Sequence, residues 1–351
     1  MKKRWILPLM IVVLLLGGVC LILSHNRKTD IEPEEEKKLQ IGMSFDSFVI
    51  ERWLRDRDVF VSTAKELGAE VNVQNANGDI EEQKKQIDYF IDKGVDAIVI
   101  ICIDSYGLQD QVKRALDAGI KVVAYDRQIA EGNVDLYISF DNSRVGEMMG
   151  QALAENGIQG KNVLMLGGSP TDSNVPLVEG AFRKVMEANH NTILDAFHAD
   201  NWEAELAAQY VYDHWETVSH ADAIMCGNDN LASQVVRALA EKRLAGHIPV
   251  VGQDADLEAC QRIVEGTQLM TVYKPVEKLA QRAAQCTVQL IREDQVTGDD
   301  VEPVSDGKYM VPCVAIEPIS VTEENMDEVI IDGGFHLKED VYLNVPGKMR
   351  K

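Results

Sequence analysis

The sequence is dominated by a regular alternation of short apolar segments with longer segments of helical pattern. The first two predicted strands, residues 41–45 and 69–74, precede helical patterns at residues 51–67 and 80–93. Short, continuous apolar runs are typical of parallel strands that are buried on both faces. This strict alternation predicts an α/β protein with a parallel sheet covered by helices on both of its faces.

The alternation restarts after about four strand–helix units. The first series ends with predicted strands at residues 121–124 and 136–140. The strands of the second series are predicted at residues 162–166, 192–197, 223–225, 248–251 and 269–271. A chain that repeats its own pattern in this way predicts two similar lobes, each a doubly wound parallel sheet.

This restart sets the predicted domain boundaries. We expect a membrane anchor or signal segment at 1–24, a charged tether at 25–38, an N-terminal lobe at 39–141 plus about 276–310, a C-terminal lobe at 142–275 plus about 311–335, and a C-terminal tail at 336–351. No long linker separates the lobes, so we expect short hinge crossings near residues 141–143, 274–276 and 310–313. Two lobes on short hinges around one crevice can close on a ligand.

The N-terminus predicts a membrane location. Three basic residues at positions 2–4 precede an apolar stretch, residues 5–24, that is long enough to span a bilayer core. The basic cluster predicts a cytoplasmic N-terminus, with the rest of the chain outside the cytoplasm and a single N-terminal span in the cell membrane. A cleaved signal peptide and a lipidated Cys20 are the alternatives to an uncleaved anchor.

Polar residues follow the strands of both series. Asp254 comes shortly after the apolar run 248–251, and Lys274 comes shortly after the run 269–271. Strand ends are where open α/β sheets bind their ligands. We therefore expect the residues at these strand ends to converge on one small polar ligand.

Composition and motifs exclude several classes of function. The net charge of −22 argues against a nucleic-acid partner, which would need a basic patch. The six cysteines form no CxxC pair and the seven histidines are scattered, so the sequence predicts no metal site. It contains neither G-x-G-x-x-G nor G-x-x-x-x-G-K-[ST], so we expect no nucleotide and no other cofactor.

The order and spacing of these segments resemble the bacterial periplasmic D-xylose-binding proteins, within the type I sugar-binding superfamily that includes ribose- and galactose-binding proteins. The resemblance extends from about residue 39 to about residue 337, and the segments that carry it are 51–53, 125–127, 138–142, 167–170, 252–256 and 272–275. It implies the type I periplasmic-binding-protein fold, with two lobes, about three hinge crossings, and sugar bound between the lobes.

The resemblance also implies a set of ligand contacts. Position by position, they fall on Arg52, Trp53, Asp126, Arg127, Asn174, Trp202, Asn228, Asp254 and Lys274. The local sequence around Trp202 departs from the family pattern. So does the end of the third strand, where Cys102 stands in a region that commonly carries a proline-containing turn.

These residue types suit a sugar, whose hydroxyls donate and accept hydrogen bonds and whose C–H faces are apolar. Carboxylates and amides accept hydroxyl protons, cations donate in return, and tryptophan supplies a flat apolar contact. Each residue also has a structural interpretation. Arg52 can pair with Asp56, the two tryptophans can be core residues, and Asn174 and Asn228 can cap the helices that they begin.

The predicted function is a non-catalytic extracytoplasmic receptor that closes its two lobes on D-xylose or a related pentose. A sugar hydrolase is disfavoured because carboxylates in one loop do not give the flanking geometry that hydrolysis needs. A sugar-responsive repressor is disfavoured because an apolar segment stands where a helix-turn-helix would be. We expect the receptor to report to a membrane sensor histidine kinase; the alternative is delivery of the sugar to the permease of an ABC pentose importer.

Overall fold

The structure, a computed structural model, describes residues 38–349. The predicted anchor at residues 1–24 and all but the last residue of the predicted tether lie outside the described residues. Within residues 38–349, no helix combines the length and the apolar character that are needed to cross a membrane.

The first sheet has seven strands. In chain order these are β1 (Leu39–Phe45), β2 (Ala69–Asn75), β3 (Ala97–Ile100), β4 (Lys121–Tyr125), β5 (Leu136–Phe140), β11 (Val301–Ser305) and β12 (Met310–Ile316). Their spatial order is β11-β12-β5-β4-β3-β1-β2. All neighbours are parallel except β11, which pairs antiparallel with β12 at the edge of the sheet.

The second sheet has six strands. In chain order these are β6 (Asn162–Gly167), β7 (Thr192–His198), β8 (Ala223–Cys226), β9 (Val250–Gln253), β10 (Met270–Tyr273) and β13 (Ile319–Val321). Their spatial order is β13-β10-β9-β8-β6-β7, and only β13 runs antiparallel to its neighbour. The predicted fold class, two α/β lobes with mainly parallel sheets, is confirmed.

Helices connect most of the parallel strands, and the last helix follows the final strand. They are α1 (Arg52–Glu66), α2 (Ile80–Lys93), α3 (Gln109–Asp117), α4 (Asn142–Glu155), α5 (Asn174–Ala188), α6 (Ala204–Asp213), α7 (Trp215–Val218), α8 (Asp229–Glu241), α9 (Leu257–Glu265), α10 (Val276–Glu293) and α11 (Lys338–Val341). Short 3₁₀ turns occupy Asp200–Trp202 and Pro346–Lys348, and a π-helical turn occupies Asp327–Ile331. Strands β3, β4 and β8 are almost wholly buried, as expected for strands with helices on both faces.

Local sequence explains where several helices begin and end. The carboxylate of Asp79 accepts hydrogen bonds from the backbone N–H groups of Glu81, at 2.9 Å, and Glu82, at 3.3 Å, and so caps α2. Gly94 ends the same helix in the left-handed conformation, with φ of 63°. Asp141 caps α4 in the same way, through the N–H of Arg144 at 2.9 Å.

The chain passes between the lobes three times. It leaves the first sheet after β5, returns through the segment before α10, which packs on α1, and leaves again between β12 and β13. The third crossing was expected near residues 310–313, but β12 pairs with β5 in the first sheet through Cys313 and Tyr137. The crossing therefore falls at residues 317–318. The prediction fails here because the partner of β12 lies far away in the sequence.

The C-terminal tail packs on the second lobe. The Nε2 atom of His336 lies 2.8 Å from the backbone oxygen of Ala255, and α11 packs against α9. Burial lowers the pKa of His336, so its ring is a neutral part of this contact near pH 7.

Candidate functional site

A cavity lies between the two lobes, at the ends of strands from both sheets. The space outside protein atoms within it is about 460 Å³, which includes the solvent at its opening. Its lining is formed by Ile50, Arg52, Trp53, Asp126, Arg127, Gly167, Gly168, Asp172, Asn174, Val175, Val178, Glu179, Trp202, Met225, Gly227, Gln253, Asp254 and Lys274.

Eight of the nine residues expected from the sequence line this cavity, and Asn228 alone does not. The eight are Arg52, Trp53, Asp126, Arg127, Asn174, Trp202, Asp254 and Lys274. All are less than 10% exposed. Residues separated by more than 200 positions in the chain therefore meet at one place, as the interpretation of the strand ends requires.

Arg52 is held rigidly on the first lobe. Its Nε and Nη2 atoms donate to the carboxylate of Asp56 at 3.1 and 3.0 Å, and the hydroxyl of Tyr125 donates to the same carboxylate. Its remaining Nη1 atom lies 2.8 Å from the Oδ2 atom of Asp126. The pairing with Asp56 that the sequence suggested is present, and it orients Arg52 towards the cavity.

Three cations, Arg52, Lys274 and Arg127, lie near the carboxylate of Asp126. Burial alone would raise the pKa of its carboxyl, but Arg52, Lys274 and Arg127 outweigh burial and lower the pKa below its ordinary value. The Nδ2 atom of Asn174 donates to its Oδ1 atom at 3.0 Å. Asp126 is therefore an ionised hydrogen-bond acceptor at neutral pH.

Arg127 joins carboxylates from the two lobes. Its Nη1 atom donates to Asp46 at 2.7 Å and to the backbone oxygen of Cys102 at 3.0 Å, both in the first lobe. Its Nε atom lies 2.6 Å from the Oδ2 atom of Asp172 in the second lobe. Burial raises the pKa values of Asp46 and Asp172, although the guanidinium of Arg127 opposes this in both cases.

Lys274 and Asp254 form a buried ion pair in the second lobe. The Nζ atom of Lys274 lies 3.1 Å from the Oδ1 atom of Asp254, and both side chains are about 5% exposed. Gln253, beside them, donates to the backbone oxygen of Gly227, and its Oε1 atom has no hydrogen-bond partner among the described residues. The pair presents both an acceptor and a donor to the cavity.

Two tryptophans supply its apolar surfaces. The ring of Trp53 lies 4.5 Å from the Arg52 guanidinium carbon, and its Nε1 atom has no partner within the described chain. Trp202 donates from Nε1 to the Oδ2 atom of Asp172 at 3.1 Å. Both rings are buried and also pack in the hydrophobic core, so each tryptophan lines the cavity and is a core residue as well.

The two asparagines behave differently from each other. Asn174 makes no capping hydrogen bond and uses its side chain towards Asp126 and Asn142. Asn228 does cap α8, accepting from the N–H of Leu231 at 2.9 Å, and its Nδ2 atom is buried without a partner in the described residues. The capping interpretation is wrong for Asn174 and confirmed for Asn228.

The sequence interpretation missed Asp46, Asp172, Gln253 and Glu179. Asp46 and Gln253 had a usable signal, since each stands at or just beyond the end of a predicted strand, whereas Asp172 lies six residues beyond the predicted strand 162–166. Glu179 had none, because it lies within α5, where its Oε1 atom meets the Nε2 atom of His198 at 3.0 Å.

The lining combines three cations, Arg52, Arg127 and Lys274, with four carboxyl groups, those of Asp126, Asp172, Glu179 and Asp254. Such a lining largely compensates its own charge, exposes both donors and acceptors, and includes flat apolar rings. It suits an uncharged ligand with many hydroxyl groups. Two α/β lobes, three crossings and a buried polar cavity between them define a two-lobed ligand-binding protein.

Comparison with known proteins identifies the family. The periplasmic binding protein domain matches residues 41–295. The D-xylose-binding periplasmic protein of Haemophilus influenzae is 38% identical over 311 residues, covering 87% of this chain and 93% of that protein. The protein of the same name from Escherichia coli is 38% identical over 310 residues, with the same coverage. The chain belongs to the periplasmic binding protein family.

Solved structures agree with this fold. An ABC transporter solute binding protein from Clostridium phytofermentans with bound β-D-glucose has a TM-score of 0.78 at 24% identity, covering 86% of this chain and 99% of that one. A carbohydrate transporter solute binding protein from Chloroflexus aurantiacus in complex with D-glucose has a TM-score of 0.79 at 24% identity, covering 87% and 98%. The relatives are named as binding proteins, and the chain is a non-catalytic binding protein.

The predicted localisation requires correction. We expected a cell-membrane protein held by a single N-terminal span. The chain instead belongs to a periplasmic family, and residues 38–349 contain no helix able to cross a membrane. The apolar stretch at residues 5–24, on which that prediction depended, lies outside the described residues.

Proposed function

We propose that this protein is a receptor for D-xylose or a closely related pentose. One observation carries the proposal: eight buried polar and aromatic side chains from both lobes surround a single cavity. Two relatives with 38% identity are named for D-xylose binding, which supports the choice of sugar.

The side chains have complementary roles towards the sugar. Asp126 and Asp254 accept hydrogen bonds from sugar hydroxyls, while Arg52, Arg127 and Lys274 donate hydrogen bonds to hydroxyl oxygens. Asn174 reaches the same region of the cavity through its contact with Asp126. Hydrogen bonds to charged groups contribute about 1.5–3 kcal/mol each, so a few of them define the orientation of a small ligand. Trp53 and Trp202 lie against its C–H faces.

Calorimetry with D-xylose, D-ribose, D-glucose and D-galactose tests the choice of ligand. We expect the strongest binding with D-xylose. Absence of heat with D-xylose under conditions in which another of these sugars binds would refute the xylose assignment and retain the receptor. Absence of heat with all four would refute the sugar assignment.

Replacement of Asp254 tests the site. Asp254→Ala leaves the ammonium of Lys274 buried without its ion-pair partner. Truncating one member of a buried charge pair at a binding site costs about 2 kcal/mol or more, so we expect at least about thirtyfold weaker binding by calorimetry. Asp117→Ala is the matched control, since Asp117 pairs with Lys113 on the surface, where such pairs contribute little. Equal affinities of the two variants would contradict the role of Asp254.

For the output of the receptor, we propose delivery of the sugar to the permease of an ABC importer. Two solved structures with the same fold are named as solute-binding proteins of transporters, which supports this output. Reporting to a membrane sensor histidine kinase stays a prediction from the sequence, with no observation in its favour. Neighbouring genes would separate the two: an ATPase and permease, or a histidine kinase and response regulator.

A further inference from the structure

One short segment of the second lobe contacts the first lobe through each of its residues. This segment, residues 171–173, lies between β6 and α5. Its contacts are made between protein groups and need no ligand. They are therefore present in addition to any bridging that a bound sugar provides between the lobes.

The two outer residues of the segment form lobe-to-lobe hydrogen bonds. The backbone oxygen of Thr171 accepts from the N–H and the hydroxyl of Ser105, at 3.0 and 2.8 Å. The Thr171 hydroxyl donates to the backbone oxygen of Ile103 at 2.9 Å. The hydroxyl of Ser173 accepts from the N–H of Gln128 at 2.8 Å. None of these groups belongs to the predicted ligand contacts.

The central residue, Asp172, connects the lobes within the site. Its Oδ2 atom lies 2.6 Å from the Nε atom of Arg127 in the first lobe and accepts from the Nε1 atom of Trp202 at 3.1 Å in its own lobe. Its Oδ1 atom accepts from the N–H of Asn174 at 2.8 Å. Asp172 is 3% exposed. One carboxylate therefore orients a guanidinium and an indole from different lobes, and it reaches the guanidinium only when the lobes are closed.

We propose that segment 171–173 is a closure lock, and that its Asp172 is a positioning residue that aligns Arg127 and Trp202 for the sugar when the lobes close. The first part is independent of the ligand. The second part depends on the proposed function, because it assigns sugar contacts to Arg127 and Trp202.

A lock of this kind sets affinity through the population of the closed form. The apparent dissociation constant equals the intrinsic constant divided by the fraction of molecules in the binding-competent state. Direct bonds between the lobes raise that fraction before the sugar arrives. Removing them weakens binding even when no side chain that touches the sugar has changed.

The lock is tested without any sugar, by small-angle scattering of ligand-free protein. We expect the double variant Thr171→Val/Ser173→Ala to have a larger radius of gyration than the wild type, because it loses two hydroxyl contacts between the lobes. Ser219→Ala is the control, since its hydroxyl bonds only within the second lobe, to Glu216. Identical scattering of the double variant and the wild type overturns the lock.

The positioning role is tested by calorimetry on Asp172→Asn, with thermal unfolding to establish that the variant is folded. We expect binding about tenfold to a hundredfold weaker than in the wild type, and a smaller effect, a few-fold, for Ser173→Ala. The signature of positioning is coupling: in a Trp202→Phe background, which lacks the indole N–H, Asp172→Asn should weaken binding by a smaller factor. Additive effects overturn the positioning role.

Failure of the closure lock or of the positioning role can be distinguished from failure of the proposed function. If the wild type binds none of the sugars, the proposed function fails, while the scattering experiment still decides the lock. If Asp172→Asn does not fold, Trp202→Phe measures the same contact from its other side, because it removes the donor and keeps an aromatic ring. Unchanged sugar affinity in folded Trp202→Phe then overturns the positioning role.

Discussion

At the scale of single residues, two glycines determine where Trp202 lies. A Cβ atom added to Gly168 would fall 2.1 Å from the Cη2 atom of the indole, and one added to Gly227 would fall 3.2 Å from its Cζ3 atom. Trp202 itself has a positive φ of 59°, which is costly for a bulky residue. The indole thus occupies space that only residues without a side chain leave open.

We predict that Gly168→Ala weakens sugar binding at least about tenfold, because the added methyl group must displace the Trp202 ring from the cavity wall. Gly180→Ala in α5 is the matched control: a Cβ there meets no atom within 4 Å, and alanine favours a helix by about 1 kcal/mol. Calorimetry should show weaker binding for the first variant alone. Wild-type affinity in Gly168→Ala would show that the ring position is unimportant for binding.

Backbone strain marks corresponding positions in the two lobes. Asp126, which follows β4, has φ of 65°, and Asp254, which follows β9, has φ of 98°. Each N–H donates to a backbone oxygen of the next strand in the chain, Asp126 to Ile138 in β5 at 2.7 Å and Asp254 to Val272 in β10 at 2.8 Å. Such conformations persist only where surrounding structure enforces them, and they are concentrated at functional sites. Both lobes therefore direct a carboxylate into the cavity through the same feature, a residue with positive φ directly after a strand.

At the scale of elements, helix starts connect local stability to the site. Asp79 caps α2 at a surface position, whereas Asn228 caps α8 with Oδ1 and keeps a buried, unpartnered Nδ2 atom. The structure describes no contact that uses this amide donor. Asn228 lies outside the cavity lining, so this buried donor without a partner is the observation that keeps it a candidate for ligand binding.

We predict that Asn228→Ser separates these two roles. Serine retains an N-cap oxygen, so the unfolding temperature should stay near that of the wild type, while sugar affinity falls because the amide donor is lost. Asp79→Ala should do the opposite, costing about 1 kcal/mol of unfolding free energy and leaving affinity unchanged. Thermal unfolding and calorimetry on both variants measure the difference. Wild-type affinity in folded Asn228→Ser would restrict Asn228 to capping.

At the scale of the whole molecule, a buried carboxyl links overall stability to pH. Asp229 is fully buried beneath the second-lobe site, where it accepts from Thr271 at 2.6 Å and Gln268 at 2.7 Å. Burial raises its pKa from 3.8 to about 7, with Thr271 and Arg262 opposing the shift and Asp254 adding to it. The folded chain keeps a proton that the unfolded chain releases near pH 4.

Because unfolding releases this proton, the free energy of unfolding depends on pH. Its stabilising contribution is fully present below pH 3.8 and is lost as the pH rises through about 7. We predict that the wild type loses unfolding free energy, on the order of a few kcal/mol, between pH 5 and pH 8 relative to Asp229→Asn. Urea denaturation of both proteins at several pH values measures the difference. Parallel pH profiles would show that Asp229 is ionised throughout.

The local pattern was sufficient to predict the architecture. Strand and helix periodicity depends on neighbours a few residues apart, so the two α/β lobes and the strand-end positions of Asp254 and Lys274 could be predicted from the sequence. Family resemblance then selected the residues that the structure brings to the cavity, except Asn228, which lies outside its lining.

Contacts between residues far apart in the sequence decided the features that local patterns could not predict. The place of β12 in the first sheet depends on a strand more than 170 residues earlier, which periodicity cannot specify. The choice of Asp172 as the shared partner of Arg127 and Trp202, and the use of Asn174 towards Asp126 rather than as a cap, depend on how the lobes meet. Hydrogen bonds between side chains require atoms within about 3 Å, and only the folded chain brings these groups that close.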